Sequence, residues 1–140
     1  DCKQWFTLPA DGAGAPSLTL EPLKGSVVVL IFWGGFDTTP NGLTRLTQMN
    51  TLYEAFRDTG DVKFIGIHDS GSNSKEVTEY IHTYRVEYPV GIDNETATFY
   101  LYDIFAIPQI LLIDKKGIFR YYDVEGRLLE LIKSLRREAG

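Results

Sequence analysis

The chain has 140 residues, 44% of them hydrophobic and 24% charged; that composition folds rather than staying disordered, and that length forms one domain that hides roughly two-thirds of its extended surface. Its net charge of −5 disfavours nucleic acid and anionic membrane as main partners, since neither attracts a negative surface. The single cysteine, Cys2, excludes an internal disulfide, a CxxC redox pair, a four-cysteine zinc site and an iron–sulfur cluster.

In chain order, short alternation at residues 5–8 and 17–20 flanks a Gly/Ala/Pro-rich stretch, residues 10–16, and predicts an N-terminal β-hairpin. Residues 26–33 (SVVVLIFW) are β-branched, aromatic and continuously apolar, the pattern of a central strand buried on both faces. Extended to residue 36, this longest uncharged run is about half of a bilayer span, so no membrane insertion is expected. No signal-peptide pattern opens the sequence. From Leu43 the apolar residues Leu46, Met49, Leu52, Tyr53 and Phe56 follow a helical period, with Gly60 as a C-terminal stop. Residues 62–67 predict a second apolar strand. Ser72 or Ser74 then caps a helix carrying Val77, Tyr80, Ile81 and Tyr84. A short extended piece at 88–92 and a short helix at 96–102 precede a third buried strand at 109–114. A DKKG turn leads to its antiparallel partner at 118–124, and Leu128, Leu131, Ile132 and Leu135 mark a last helix. The whole reads as one domain, entire or cut from a longer chain: an α/β mixed sheet with helices on both faces.

This order, with three particular segments, resembles the thioredoxin fold in its TlpA/ResA-like, AhpC/TSA-type redoxin form. Residues 23–33 (LKGSVVVLIFW) are similar to that family's strand leading to the redox motif. Tyr88-Pro89-Val90 with Asp93 is similar to its F-P-V…D segment, and Ile107-Pro108 followed by ILLIDKKG to its x-P-x-x-F-L-I-D-x-x-G stretch. The resemblance covers nearly the whole chain. It implies a three-layer α/β/α sandwich with a mixed central sheet, here carrying the N-terminal hairpin as an extension. The family pattern F-W-A-x-W-C-x-x-C departs at its chemical heart. Asp37 stands where the attacking cysteine would be, Pro40 where the resolving cysteine would be, and Thr38 and Thr39 lie between them. Dithiol exchange needs a thiolate and a second thiol, so the resemblance carries the scaffold and not the chemistry. The family also implies a cis bond at Ile107–Pro108, pairing of an extended peptide with the Ile107 backbone, and an extracytoplasmic or membrane-tethered location.

Residue by residue, Asp37 or Thr38 reads as an N-cap with Pro40 near the first helical position; a catalytic or ligand-binding carboxylate at Asp37 is the alternative. Trp33, Phe36, Tyr102 and Phe105 read as core residues, or else as the walls of an apolar groove beside the motif. His68 and Asp69 end the second strand at the same edge as Asp37, where open α/β sheets bind ligands. Solvated strand ends explain them, and a divalent-metal site or non-thiol chemistry with Asp37 is the rival reading. His82 reads as a surface residue. Cys2 reads as incidental, with lipid attachment, an intermolecular disulfide or a lone redox thiol as other uses. The expected function is therefore a non-catalytic binding or scaffolding domain for a protein or extended peptide, with no cofactor and no catalytic residue. The alternatives are a thiol-disulfide oxidoreductase or peroxiredoxin-related protein, and an enzyme using Asp37, His68 and Asp69.

Overall fold

The computed structural model describes residues 4–5, 23–33, 40–68, 74–88, 90–92, 109–122 and 126–139. Their elements, in chain order, are β1 (Gln4–Trp5), β2 (Val27–Trp33), α1 (Pro40–Phe56), β3 (Val62–His68), α2 (Ser74–Tyr84), β4 (Val90–Ile92), β5 (Gln109–Ile113), β6 (Phe119–Tyr122) and α3 (Leu128–Arg137). The strands form one sheet in the order β1-β4-β3-β2-β5-β6. β2, β3 and β4 are mutually parallel, β5 is antiparallel to β2, and β6 is antiparallel to β5 across the DKKG turn, as the sequence predicts for that pair.

The apolar run of β2 is explained by its position. It is a central strand with β3 on one side and β5 on the other, and Val27 to Phe32 are each no more than 2% exposed. Its alternate residues feed two cores. Val27, Val29 and Ile31 join Phe64, Ile110 and Leu112 beneath the helices, while Val28, Leu30 and Phe32 join Ile65, Ile67, Leu111 and Ile113 on the reverse face, where Leu23 packs. Burying each such side chain contributes about 1.5–3 kcal/mol.

All three described helices lie on one face. Leu46, Met49, Leu52 and Phe56 of α1, Tyr80 of α2, and Leu128, Leu131, Ile132 and Leu135 of α3 share one cluster. For α1 and α2 the reason is handedness. The steps β2 to β3 and β3 to β4 run the same way across the sheet, and right-handed crossovers place both intervening helices on the same side. The reverse face is nonetheless buried; the short helix expected at 96–102 lies outside the described residues. None of the described helices is long and apolar enough to cross a membrane.

β1 pairs antiparallel with β4, Gln4 opposite Ile92 and Trp5 opposite Gly91, so the N-terminal strand extends the main sheet; its expected hairpin partner at 17–20 lies outside the described residues. Helix α1 begins at Pro40, where the sequence places the first helical position, for which proline is pre-set; its apolar period starts at Leu43.

Candidate functional site

The parallel strands end together. Trp33 is the register partner of His68, and His68 of Ile92, which in turn faces Gln4. These four residues form one row across the carboxyl edge of the sheet, the edge at which open α/β sheets place ligands. Gln109 opens β5 beside Phe32, one step inside that row. The chain leaves β2 at Trp33 and re-enters regular structure at Pro40, the first residue of α1. Of the two sequence-derived motifs, Pro40 opens α1, while residues 37–39 and Ile107–Pro108, which precede α1 and β5 in the chain, lie outside the described residues.

Of the expected site residues, the described structure contains Trp33 at the end of β2, His68 at the end of β3 and Pro40 at the start of α1. Asp37, Thr38, Thr39, Phe36, Asp69, Tyr102, Phe105, Ile107, Pro108 and Cys2 lie outside the described residues, and with them the N-cap, the groove and the cis bond. His82 is exposed on α2, as expected of a surface residue. Among the described residues no group of three His, Cys, Asp or Glu side chains is placed to hold a metal ion.

The electrostatics of the edge come first from α1. A helix of 17 residues presents at its first turn unpaired N–H groups and about half a positive charge, which stabilise an anion placed just before it. Arg45 lies further along the same helix. It sits about 7–8 Å along the axis from Pro40 and is only 7% exposed, on the stripe that continues through Met49, Leu52 and Phe56. The sequence reading missed it because an arginine on an apolar stripe registers as an interruption of the period, although the spacing of four from Met49 carried the signal.

Gln109 is the second residue that sequence reasoning missed. It shares a strand face with Leu111 and Ile113 by the two-residue alternation of β5. It is 7% exposed, yet its side-chain Oε1 accepts no hydrogen bond. A buried acceptor left without a donor costs roughly 1–3 kcal/mol. The clue was a lone polar residue at the head of an otherwise apolar strand.

Chemically, this edge offers a helix dipole and a buried amide. The residues that run into the helix, 37–40, hold no cysteine, and the only cysteine of the chain, Cys2, lies outside the described residues. The AhpC/TSA family model matches residues 3–122. A thiol-disulfide oxidoreductase ResA of Bacillus cereus is 31% identical over 100 residues, which make up 71% of this chain and 56% of that protein. The chain thus spans just over half the length of such curated relatives. Among solved structures, a thioredoxin-like superfamily protein superposes with a TM-score of 0.79 at 27% identity, covering 99% of this chain and 94% of that one. A thiol-disulfide isomerase from Corynebacterium glutamicum superposes with a TM-score of 0.80 at 23% identity, with the same coverage of both chains.

Proposed function

The chain belongs to the AhpC/TSA family and has a thioredoxin-like fold, and on that premise we propose that it is a redox-inactive member that binds a protein or an extended peptide at the carboxyl edge of its sheet. One observation carries the reading. The segment that runs into α1 is Asp37-Thr38-Thr39-Pro40, and Cys2 is the chain's only cysteine. Disulfide exchange passes through a mixed disulfide that a second thiol must release; a carboxylate and a proline imide supply neither the nucleophile nor the resolving group. What remains of the family's device is its positioning machinery: the helix N-terminus, the edge row from Gln4 to Trp33, and the strand that follows Ile107–Pro108. Those parts recognise a ligand without reacting with it.

The test is an insulin-disulfide reduction assay with dithiothreitol, run beside affinity capture from the native host. Wild-type chain gives no turnover above the reagent background, and capture yields a specific protein that Asp37→Ala or a substitution at Ile107 releases. Robust turnover by the unaltered chain that disappears in Cys2→Ser overturns the reading in favour of a thiol-disulfide oxidoreductase.

A further inference from the structure

Away from that edge, a cleft of about 360 Å³ opens between α1 and the turn that closes α2, lined by Thr47, Asn50, Thr51, Tyr53, Glu54, Tyr84, Arg85 and Glu87. Its volume is at the lower end of the range for small-molecule sites. The α1 wall is a single stripe, residues 47, 50, 51 and 54, which the helical period stacks on one face. The other wall is held in place. Asn50 donates from Nδ2 to the Tyr84 carbonyl at 2.9 Å, and the Val86 N–H bonds to the Ile81 carbonyl at 3.0 Å, the long bond of a helix-terminating motif.

That motif wants glycine at the residue between, and here the residue is Arg85 at φ 56°. An L-residue carries a steric penalty in this left-handed conformation that glycine would not. Strain of this kind persists where it serves a site, and the Arg85 side chain lines the cleft. Its charge is unmatched: among the described residues Arg85 has no hydrogen-bond or ion-pair partner, and neither does Glu54 on the facing helix. By contrast Glu87 is neutralised by Arg57 at 3.0 Å. The hydroxyl protons are also committed, Thr47 donating to the Leu43 carbonyl and Thr51 to the Thr47 carbonyl, each at 3.0 Å. Their oxygens keep acceptor capacity, as does Asn50 Oδ1, while Asn50 Nδ2 gives one of its two protons to the Tyr84 carbonyl. Among the described residues, the cleft therefore offers one free cation, one free anion, a row of acceptors and two aromatic rings.

We propose that this cleft binds a small zwitterionic amino-carboxylate, with its carboxylate on Arg85, its ammonium on Glu54 and the threonine oxygens, and an apolar side chain against Tyr53 and Tyr84. The site is independent of the binding edge proposed above. L-leucine, N-acetyl-leucine and leucine amide present both charges, the negative one alone and the positive one alone. Calorimetry gives their affinities, and amide shifts of residues 84–87 in isotope-labelled chain locate them. L-leucine binds about tenfold or more tightly than either analogue, since each lacks one charged partner, and it shifts those amides. Arg85→Gly raises the melting temperature by relieving the strained turn and abolishes leucine binding, a pair of changes that a purely structural arginine would not give. Glu54→Gln weakens binding about tenfold with the melting temperature unchanged. Equal affinity for all three probes, unimpaired binding in Arg85→Gly, or no shift of residues 84–87 up to the solubility limit of L-leucine overturns the proposal.

Discussion

Phe32 and Gln109 are register partners in the β2–β5 ladder, so the strand that follows Ile107–Pro108 enters the sheet beside the strand whose end leads to residues 37–40. Residues 32 and 109, far apart in sequence, are thereby brought together at one edge by an ordinary antiparallel pairing. Gln109 occupies that junction with an unsatisfied, buried Oε1.

Replacing it tests whether the fold needs the amide. Gln109→Leu removes the orphaned acceptor while keeping the volume, and should raise stability by about 1 kcal/mol, because the desolvation cost of the amide disappears. Gln109→Ala leaves a void beside Phe32 and Leu111 and should lower stability by about 1–3 kcal/mol. Urea midpoints at constant slope measure both. A Gln109→Leu variant less stable than wild type would mean that the amide is satisfied in solution.

The start of α1 makes a prediction about capping. Pro40 is the first helical residue, so Thr39 adjoins the first turn and Asp37 lies three residues before Pro40. Thr39→Ala should cost about 1 kcal/mol, the usual worth of a capping side chain. Asp37→Asn should be neutral in stability, and if Asp37 serves binding through its charge, that variant alone releases the captured partner. Melting curves combined with capture separate the two roles.

The same helix start should revive a thiolate. Asp37→Cys with Pro40→Cys places two thiols at the positions of the family's redox motif, before and at the first residue of α1, where the dipole and the free N–H groups lower a thiol pKa. Thiol titration against pH should find one cysteine of the pair below the ordinary value of about 8.5, and insulin reduction should rise above the wild-type background. Two unperturbed thiols would show that the scaffold no longer supports the family chemistry.

Acid should act through two carboxylates. Asp114 is buried, which pushes its pKa up, but the N–H groups of Ile118 and Lys116, each 2.9 Å from Oδ1, and the Arg120 guanidinium outweigh that and hold it below the usual value. Asp61 is lowered chiefly by its hydrogen bonds from Arg136. A depressed folded-state pKa means that the unfolded chain binds more protons. The stability is therefore complete above the unfolded value of about 3.9 and is lost as pH falls through the lower folded value. The melting temperature should be level from about pH 7 to about pH 5 and fall below about pH 4. Asp114→Ala should cost about 2 kcal/mol at neutral pH by stripping two N–H groups of their acceptor in the turn, and should flatten the acid limb.

The sequence by itself determined the strands and most helix faces, because these are local signals. The unbroken apolar run of β2, the alternation through β5 and the stripe of Leu128, Leu131, Ile132 and Leu135 each record burial in the residues themselves. It also shows, by a count of cysteines, that no CxxC pair lies within these 140 residues. What the tertiary structure decided depends on which distant segments meet. Trp5 pairs with Gly91 of β4, a contact across the chain that no local pattern announces. Arg45 and Gln109 are polar residues drawn inside because their neighbours in sequence are apolar and the backbone leaves them no other face. The cleft at Arg85 exists only because α1 and the end of α2 share one side of the sheet, a consequence of crossover handedness and not of any local pattern. Periodicity reports whether a residue faces inward, while pairing and packing decide what it meets there.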